Sequence, residues 1–171
     1  MDKLQYSDLL DAVVKYANMY PEDTVVIGGG YASYLHLHSV GVDIEVKDLD
    51  VFVTTSVDGE ERQNRWLNIM PNAVIKNPDD HFEIFTLVSE KGSSIDVFVN
   101  QNDDTEFTTM GELKLKQVED LIRDYNVYLD GMDLDFEFYK THPEYNDEYK
   151  LALSKFNRIK SRYGLLVKHF K

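Results

Sequence analysis

Asp48 and Asp50 stand two apart at the head of the apolar run Val51-Phe52-Val53, and Asp96 is embedded in Ile95-Asp96-Val97-Phe98-Val99. If both runs are strands, the two-residue side-chain period sends Asp48 and Asp50 to one face and Leu49 and Val51 to the other. A carboxylate inside an apolar run is costly unless something pairs with it. Three converging carboxylates raise one another's pKa, and a divalent cation removes that penalty. Mg²⁺ suits such a set, as would Mn²⁺, because it takes a few carboxylates and completes its octahedron with water and phosphate oxygens.

A second constellation lies upstream, where Val25-Val26-Ile27 runs into Gly28-Gly29-Gly30 and then a helical stretch. An apolar strand, a glycine turn and a helix start place backbone N–H groups at the positive end of a helix dipole, where phosphate oxygens bind. No Gly-Lys-Ser/Thr follows, so this is not a P-loop, and the third spaced glycine of a dinucleotide fingerprint is absent. Each piece also has a plainer reading: a tight turn without a ligand, an exposed strand edge at Asp48 and Asp50, and Asp96 paired with a lysine or arginine.

These residues need elements to position them. Leu4, Leu9, Leu10, Val13, Val14 and Ala17 recur at helical spacing, with Ser7 as a cap, and predict an amphipathic helix over 7–20. Thr24 to Ile27 reads as a buried strand, Tyr31 to Ser39 as a helix and Asp48 to Thr54 as a second strand. A helix over Glu60 to Met70 follows the Asp58-Gly59 turn, and Ala73 to Lys76 is a short strand. His81 to Ser89 and Ser94 to Asn100 flank Glu90-Lys91-Gly92-Ser93 as a hairpin. Asn100 to Glu106 reads as a loop, Gly111 to Leu129 and Glu144 or Tyr145 to Lys168 as helices, with Asp130 to Glu137 either loop or helical turn. The fold class is therefore α/β (α+β): a core of strands and helices, residues 1–107, followed by a helical C-terminal part, residues 108–171.

The chain has 171 residues, 43% of them hydrophobic, enough for one well-buried core. It has no cysteine, which excludes disulfides, thiolate metal sites and cysteine nucleophiles. No apolar run reaches membrane-spanning length and residues 1–20 do not resemble a signal peptide, so a cytoplasmic location is expected. The net charge of −13 is unevenly divided: residues 150–171 hold seven Lys or Arg and no acid, leaving 11 bases against 31 acids elsewhere, or −20. Such an acidic body repels polyphosphate at long range unless a bound cation or the basic tail reverses the field locally. It also supports an alternative, a catalytically silent acidic protein that binds a protein partner.

Taken together, the strand-glycine-helix run, the acid-apolar-acid strand and the third acid over residues 24 to 100 resemble the DNA polymerase β-like nucleotidyltransferase superfamily. The wide gap between Gly30 and Asp48 is similar to the minimal bacterial members, including the toxins of toxin-antitoxin systems. The resemblance implies that the core over residues 1–107 is a mixed sheet flanked by helices, and that Gly29 and Gly30, with Gly28 before them, hold the triphosphate of ATP or another NTP. It implies that Asp48 and Asp50 bind metal ions, and that Asp96 binds one and activates an acceptor hydroxyl on an RNA end, a protein or a small molecule. Minimal members carry Arg and Thr just before the first aspartate; here Ile44 and Val46 occupy those places.

Weaker signals surround this core. Lys47 is the one base nearby, either a phosphate contact or a solvent-facing strand entry. Lys150, Ser154, Arg158 and Arg162 form one stripe on the last helix, so Lys150 and Arg158 are candidate nucleotide contacts; Leu151, Phe156, Ile159, Tyr163 and Leu166 mark its packed side. Arg62 and Arg65 are phosphate contacts or partners for Glu60 and Glu61. His36 and His38 lie about 200° apart on a helix and cannot be adjacent ligands. Asp79-Asp80-His81 after Pro78 reads as a turn.

Overall fold

The computed structural model describes residues 6–101 and 106–171. Thr24–Gly28 (β1), a β-branched run, is buried along almost its whole length and leads directly into helix α2, Gly29–His38. Helix α1, Ser7–Met19, precedes them. Its N-cap is Tyr6 in a left-handed conformation with no side-chain cap, so Ser7 does not play the capping role expected of it. Leu4 lies outside the described residues, as does part of the loop expected over 100–106.

Strand β2, Asp48–Thr54, has the boundaries that its alternation predicts: Leu49, Val51 and Val53 are buried and Asp48, Asp50 and Phe52 face the other way. After α3, Glu60–Ile69, come the short β3, Val74–Lys76, then β4, Ile84–Val88, and β5, Ser94–Val99. The strand expected from His81 starts only at Ile84, because Asp79 accepts the backbone N–H groups of Glu83 (2.6 Å) and Ile84 (3.0 Å) and closes a turn first. Ile84's N–H is the strongest of the influences holding the Asp79 carboxyl below its ordinary value.

The larger correction falls between 107 and 117. Gly111 does not open a helix: Phe107–Met110 (β6) and Leu113–Lys116 (β7) form an antiparallel hairpin, with Gly111 at φ 60° in its turn. Leu113-Lys114-Leu115-Lys116 has the period of a strand, and β1 offers Leu115 a parallel partner in Ile27. The seven strands make one mixed sheet in the order β3-β4-β5-β2-β1-β7-β6, parallel at β2/β5 and β1/β7 and antiparallel elsewhere. One face carries the core of Leu49, Val51, Val53, Ile95, Val97, Val99, Phe85 and Leu87, all buried. In the helices of the same unit, Tyr16 of α1 stacks on Trp66 of α3 at 4.4 Å between centroids. Burying these apolar side chains stabilises the unit by roughly 1.5–3 kcal/mol each.

Residues 1–32 and 45–117 form one unit, and 33–44 with 118–171 a second, so the boundary expected near 108 falls inside β6. The second unit holds most of α2, helix α4 (Val118–Thr141), a 3-10 turn at Pro143–Tyr145, and α5 (Asn146–Phe170). Asp130 to Glu137 is helical within α4. Phe136 packs edge-on against Phe156 across the two helices, and buried Ser33 and Tyr125 share a 2.8 Å hydrogen bond. On α5, Ile159 and Leu166 are buried, but Leu151 is 73% exposed and does not belong to the packed side where its spacing placed it. No helix among the described residues is long and apolar enough to cross a membrane.

Candidate active site

The second face of the sheet in the first unit carries polar groups toward the start of β2 and β5 and aromatic rings beyond them. β2 and β5 run parallel with Asp48 beside Ser94, Asp50 beside Asp96, and Phe52 beside Phe98. The alternation that buries Leu49 and Ile95 therefore turns all three aspartates to one face. Asp50 and Asp96 are half-buried and Asp48 is exposed. Ser94 donates from Oγ to Asp48 Oδ1 at 3.0 Å, and Thr86 on β4 donates from Oγ1 to Asp96 Oδ1 at 2.7 Å. One oxygen each of Asp48 and Asp96 thus accepts from a hydroxyl, while the two phenylalanines stack at 5.0 Å immediately beyond.

β1 pairs with β2 so that Gly28 lies beside Asp50. Gly29, at φ 59°, makes the turn from β1 into α2. A Cβ at Gly29 would collide with Asp50 Oδ2, so two demands meet at this residue: a left-handed backbone and room for a carboxylate. Gly30 follows in the first turn of α2, whose backbone donors have no helical acceptor ahead of them.

The donor set suits a hard cation in kind, since all three groups offer carboxylate oxygens from one face. Among the described residues, however, no three His, Cys, Asp or Glu side chains already form a group that could hold a metal ion. Asp48 and Asp96 each carry a second oxygen, Oδ2, that Ser94 and Thr86 do not engage.

The remaining candidates lie on other elements. Lys47 is exposed in the segment before β2. Lys150 and Arg158 are exposed on α5, in the second unit. Arg65 instead grips Asp23 at 2.9 Å and Glu22 at 3.3 Å, with Glu61 at 3.8 Å, and Arg62 donates to the carbonyls of Val57 and His81. His38 pairs with Asp43 at 2.6 Å, and buried His36 meets Phe170 edge-on.

Sequence reasoning passed over Lys116. It is the only buried lysine or arginine among the described residues, and its Nζ lies 4.4 Å from the centre of the Phe52 ring. The signal was the two-residue period of 113–116, masked by reading that stretch as the start of a helix.

The seven-stranded mixed sheet with its helices matches a nucleotidyltransferase-like fold. The crystal structure of ANT(2″)-Ia in complex with adenylyl-2″-tobramycin matches with a TM-score of 0.50 and 14% identity, over 96% of this chain and 98% of that one. The solution structure of the antibiotic-resistance factor ANT(2″)-Ia matches with a TM-score of 0.50 and 15% identity, over 95% of this chain and 91% of that one. No protein-family model matches the chain, and no curated protein matches it.

Proposed function

We propose that this protein is a metal-dependent nucleotidyltransferase that moves a nucleoside monophosphate from an NTP to a hydroxyl acceptor. The observation that carries the reading is the register that sets Asp50 beside Asp96 on the polar sheet face, with Asp50 against the left-handed Gly29. In the transfer, the acceptor oxygen forms a bond to the α-phosphorus, the bond from that phosphorus to the α–β bridging oxygen breaks, and pyrophosphate leaves. A divalent cation, Mg²⁺ or Mn²⁺, held by Asp48, Asp50 and Asp96, would neutralise phosphate charge and lower the pKa of the acceptor hydroxyl. The Gly28-Gly29-Gly30 turn and the first turn of α2 hold phosphate oxygens by backbone N–H groups. Asp96, one oxygen engaged by Thr86, takes the hydroxyl proton on the other, and the fixed sheet holds the reacting groups in line.

For the acceptor, the resemblance to toxin-type members suggests RNA, whereas the structural neighbour is bound to an adenylylated tobramycin. A body of net charge −20 repels RNA and favours a small, cationic, hydroxyl-bearing molecule. The three carboxylates that do not yet form a ligating group, together with strongly exposed Val127, Leu134 and Leu151, favour a second reading, the silent interaction protein.

Incubation with each labelled NTP, with Mg²⁺ or Mn²⁺ or neither, and with tobramycin or an RNA oligonucleotide as acceptor, tests both. Metal-dependent pyrophosphate release and a nucleotidylated acceptor are expected. Failure to bind any NTP with either metal leaves the silent reading standing.

A further inference from the structure

The geometry points to Lys116 as the cation that grips the triphosphate, delivered to the acid face through the gap that Gly28 leaves in β1. This rests on the nucleotidyl-transfer reading and moves to Lys116 the phosphate contact expected of Lys47, Lys150 and Arg158. β7 lies beside β1 with Leu115 opposite Ile27, so Lys116 is level with Gly28. Leu115 and Ile27 are fully buried on the core face, and strand alternation turns Lys116 to the opposite face, that of Asp48, Asp50 and Asp96.

Lys116 extends from β7 across β1 toward β2, two strands away, where its ammonium sits over Phe52. Gly28 makes the crossing possible. A Cβ there would meet the Phe52 ring on one side and Lys116 Cδ, at 3.3 Å, on the other, so lysine stem and ring close over the bare glycine backbone. The first glycine of the trio thus has a task apart from phosphate binding: it leaves a passage for a side chain.

Burying an ammonium is unfavourable unless anions and a π face compensate it. Phe52 supplies the π face and the aspartates of the same face supply negative potential. A triphosphate approaching three carboxylates in turn needs positive charge fixed in place. Lys116 supplies it from a backbone position level with Gly28, the residue before Gly29, where α2 begins and presents its own positive end.

The test is calorimetric titration of native protein, Lys116→Met and Lys116→Arg with Mg²⁺-NTP and with inorganic tripolyphosphate at one ionic strength. Lys116→Met should bind both at least about tenfold more weakly and Lys116→Arg within about threefold of native, the worth of a charge-assisted contact. In turnover the loss should fall on KM for NTP more than on kcat. A purely structural lysine would change the melting temperature and leave the affinity of folded protein for tripolyphosphate unmoved. Should Lys116→Met not fold, an acyl-phosphate derivative of ATP, which acylates amines beside its phosphates, reports on native protein by peptide mapping. ATP-protected acylation of Lys116 supports the assignment.

Acylation of Lys47 or Lys150 without Lys116, or Lys116→Met binding within twofold of native, overturns it while nucleotidyl transfer stands. Native protein that binds neither probe overturns both.

Discussion

Asp96 has two polar neighbours, the hydroxyl of Thr86, which donates to it, and the carboxylate of Asp50 in the adjacent strand position. Replacing Asp96 by Asn keeps the size and the Thr86 contact but removes one charge from a crowded face. In the folded protein without metal this relieves repulsion, so the melting temperature should hold or rise. Transfer should fall by about 10³-fold, the equivalent of roughly 4 kcal/mol of lost transition-state stabilisation. The pairing of undiminished stability with lost activity marks a functional carboxylate; a drop in both would assign Asp96 to the structure. Melting curves and pyrophosphate release on the same sample decide it.

At the level of elements, the junction of β1 and α2 and the buried network behind β1 make separate predictions. Gly29 and Gly59 both have left-handed φ, 59° and 54°, but a Cβ at Gly59 meets nothing within 4 Å whereas one at Gly29 meets Asp50. Gly59 has ψ −140°, outside the left-handed helical region, so Gly59→Ala should carry only backbone strain, about 1–3 kcal/mol. Gly29→Ala should cost more and, by displacing Asp50, abolish metal-dependent nucleotide binding; equal melting temperatures for the two variants would refute the carboxylate's placement.

Tyr16 donates to Asp23 at 2.7 Å, and Asp23 also holds Arg65. Burial first, then the hydrogen bond and charge of Asp23, push the Tyr16 hydroxyl far above the ordinary tyrosine pKa, with Arg65 opposing. The sign follows: in the unfolded chain Tyr16 ionises near pH 10, in the folded protein only above that, so its contribution is whole below about pH 10 and lost as pH rises. Tyr16→Phe should be about 1 kcal/mol less stable than native at pH 8, and the gap should close above about pH 10 in urea melts.

How far the sequence led depended on whether one element or two competed for a pattern. β2 was legible because Asp48 to Thr54 alternates cleanly, and the facing of Asp48, Asp50 and Asp96 followed from period two alone. The β6/β7 hairpin was not, since Leu113 to Lys116 is too short to outweigh the helical pattern of α4, and only the edge of β1 selects the strand. Lys116 stayed hidden for the same reason. Leu151 misled because its spacing fits the packed stripe while the partner helix covers only part of that stripe.

At the scale of the whole molecule, charge decides what approaches. A net charge of −13, with −20 outside the last 22 residues, sets a field that repels NTP and RNA and attracts cations over a screening length of about 30 Å at 0.01 M salt and 10 Å at 0.1 M. Raising salt from low to physiological should therefore act on the two substrates in opposite senses. With tobramycin as acceptor, its KM should climb on the order of tenfold as attraction is screened, while KM for Mg²⁺-NTP stays level or falls as repulsion is screened. An RNA acceptor gripped by the basic residues of α5 would behave otherwise, its affinity dropping steeply with salt through counterion release. Initial rates over a salt series, with each acceptor in turn, separate these cases; parallel weakening of NTP and acceptor would show that local cations, not the acidic body, govern entry.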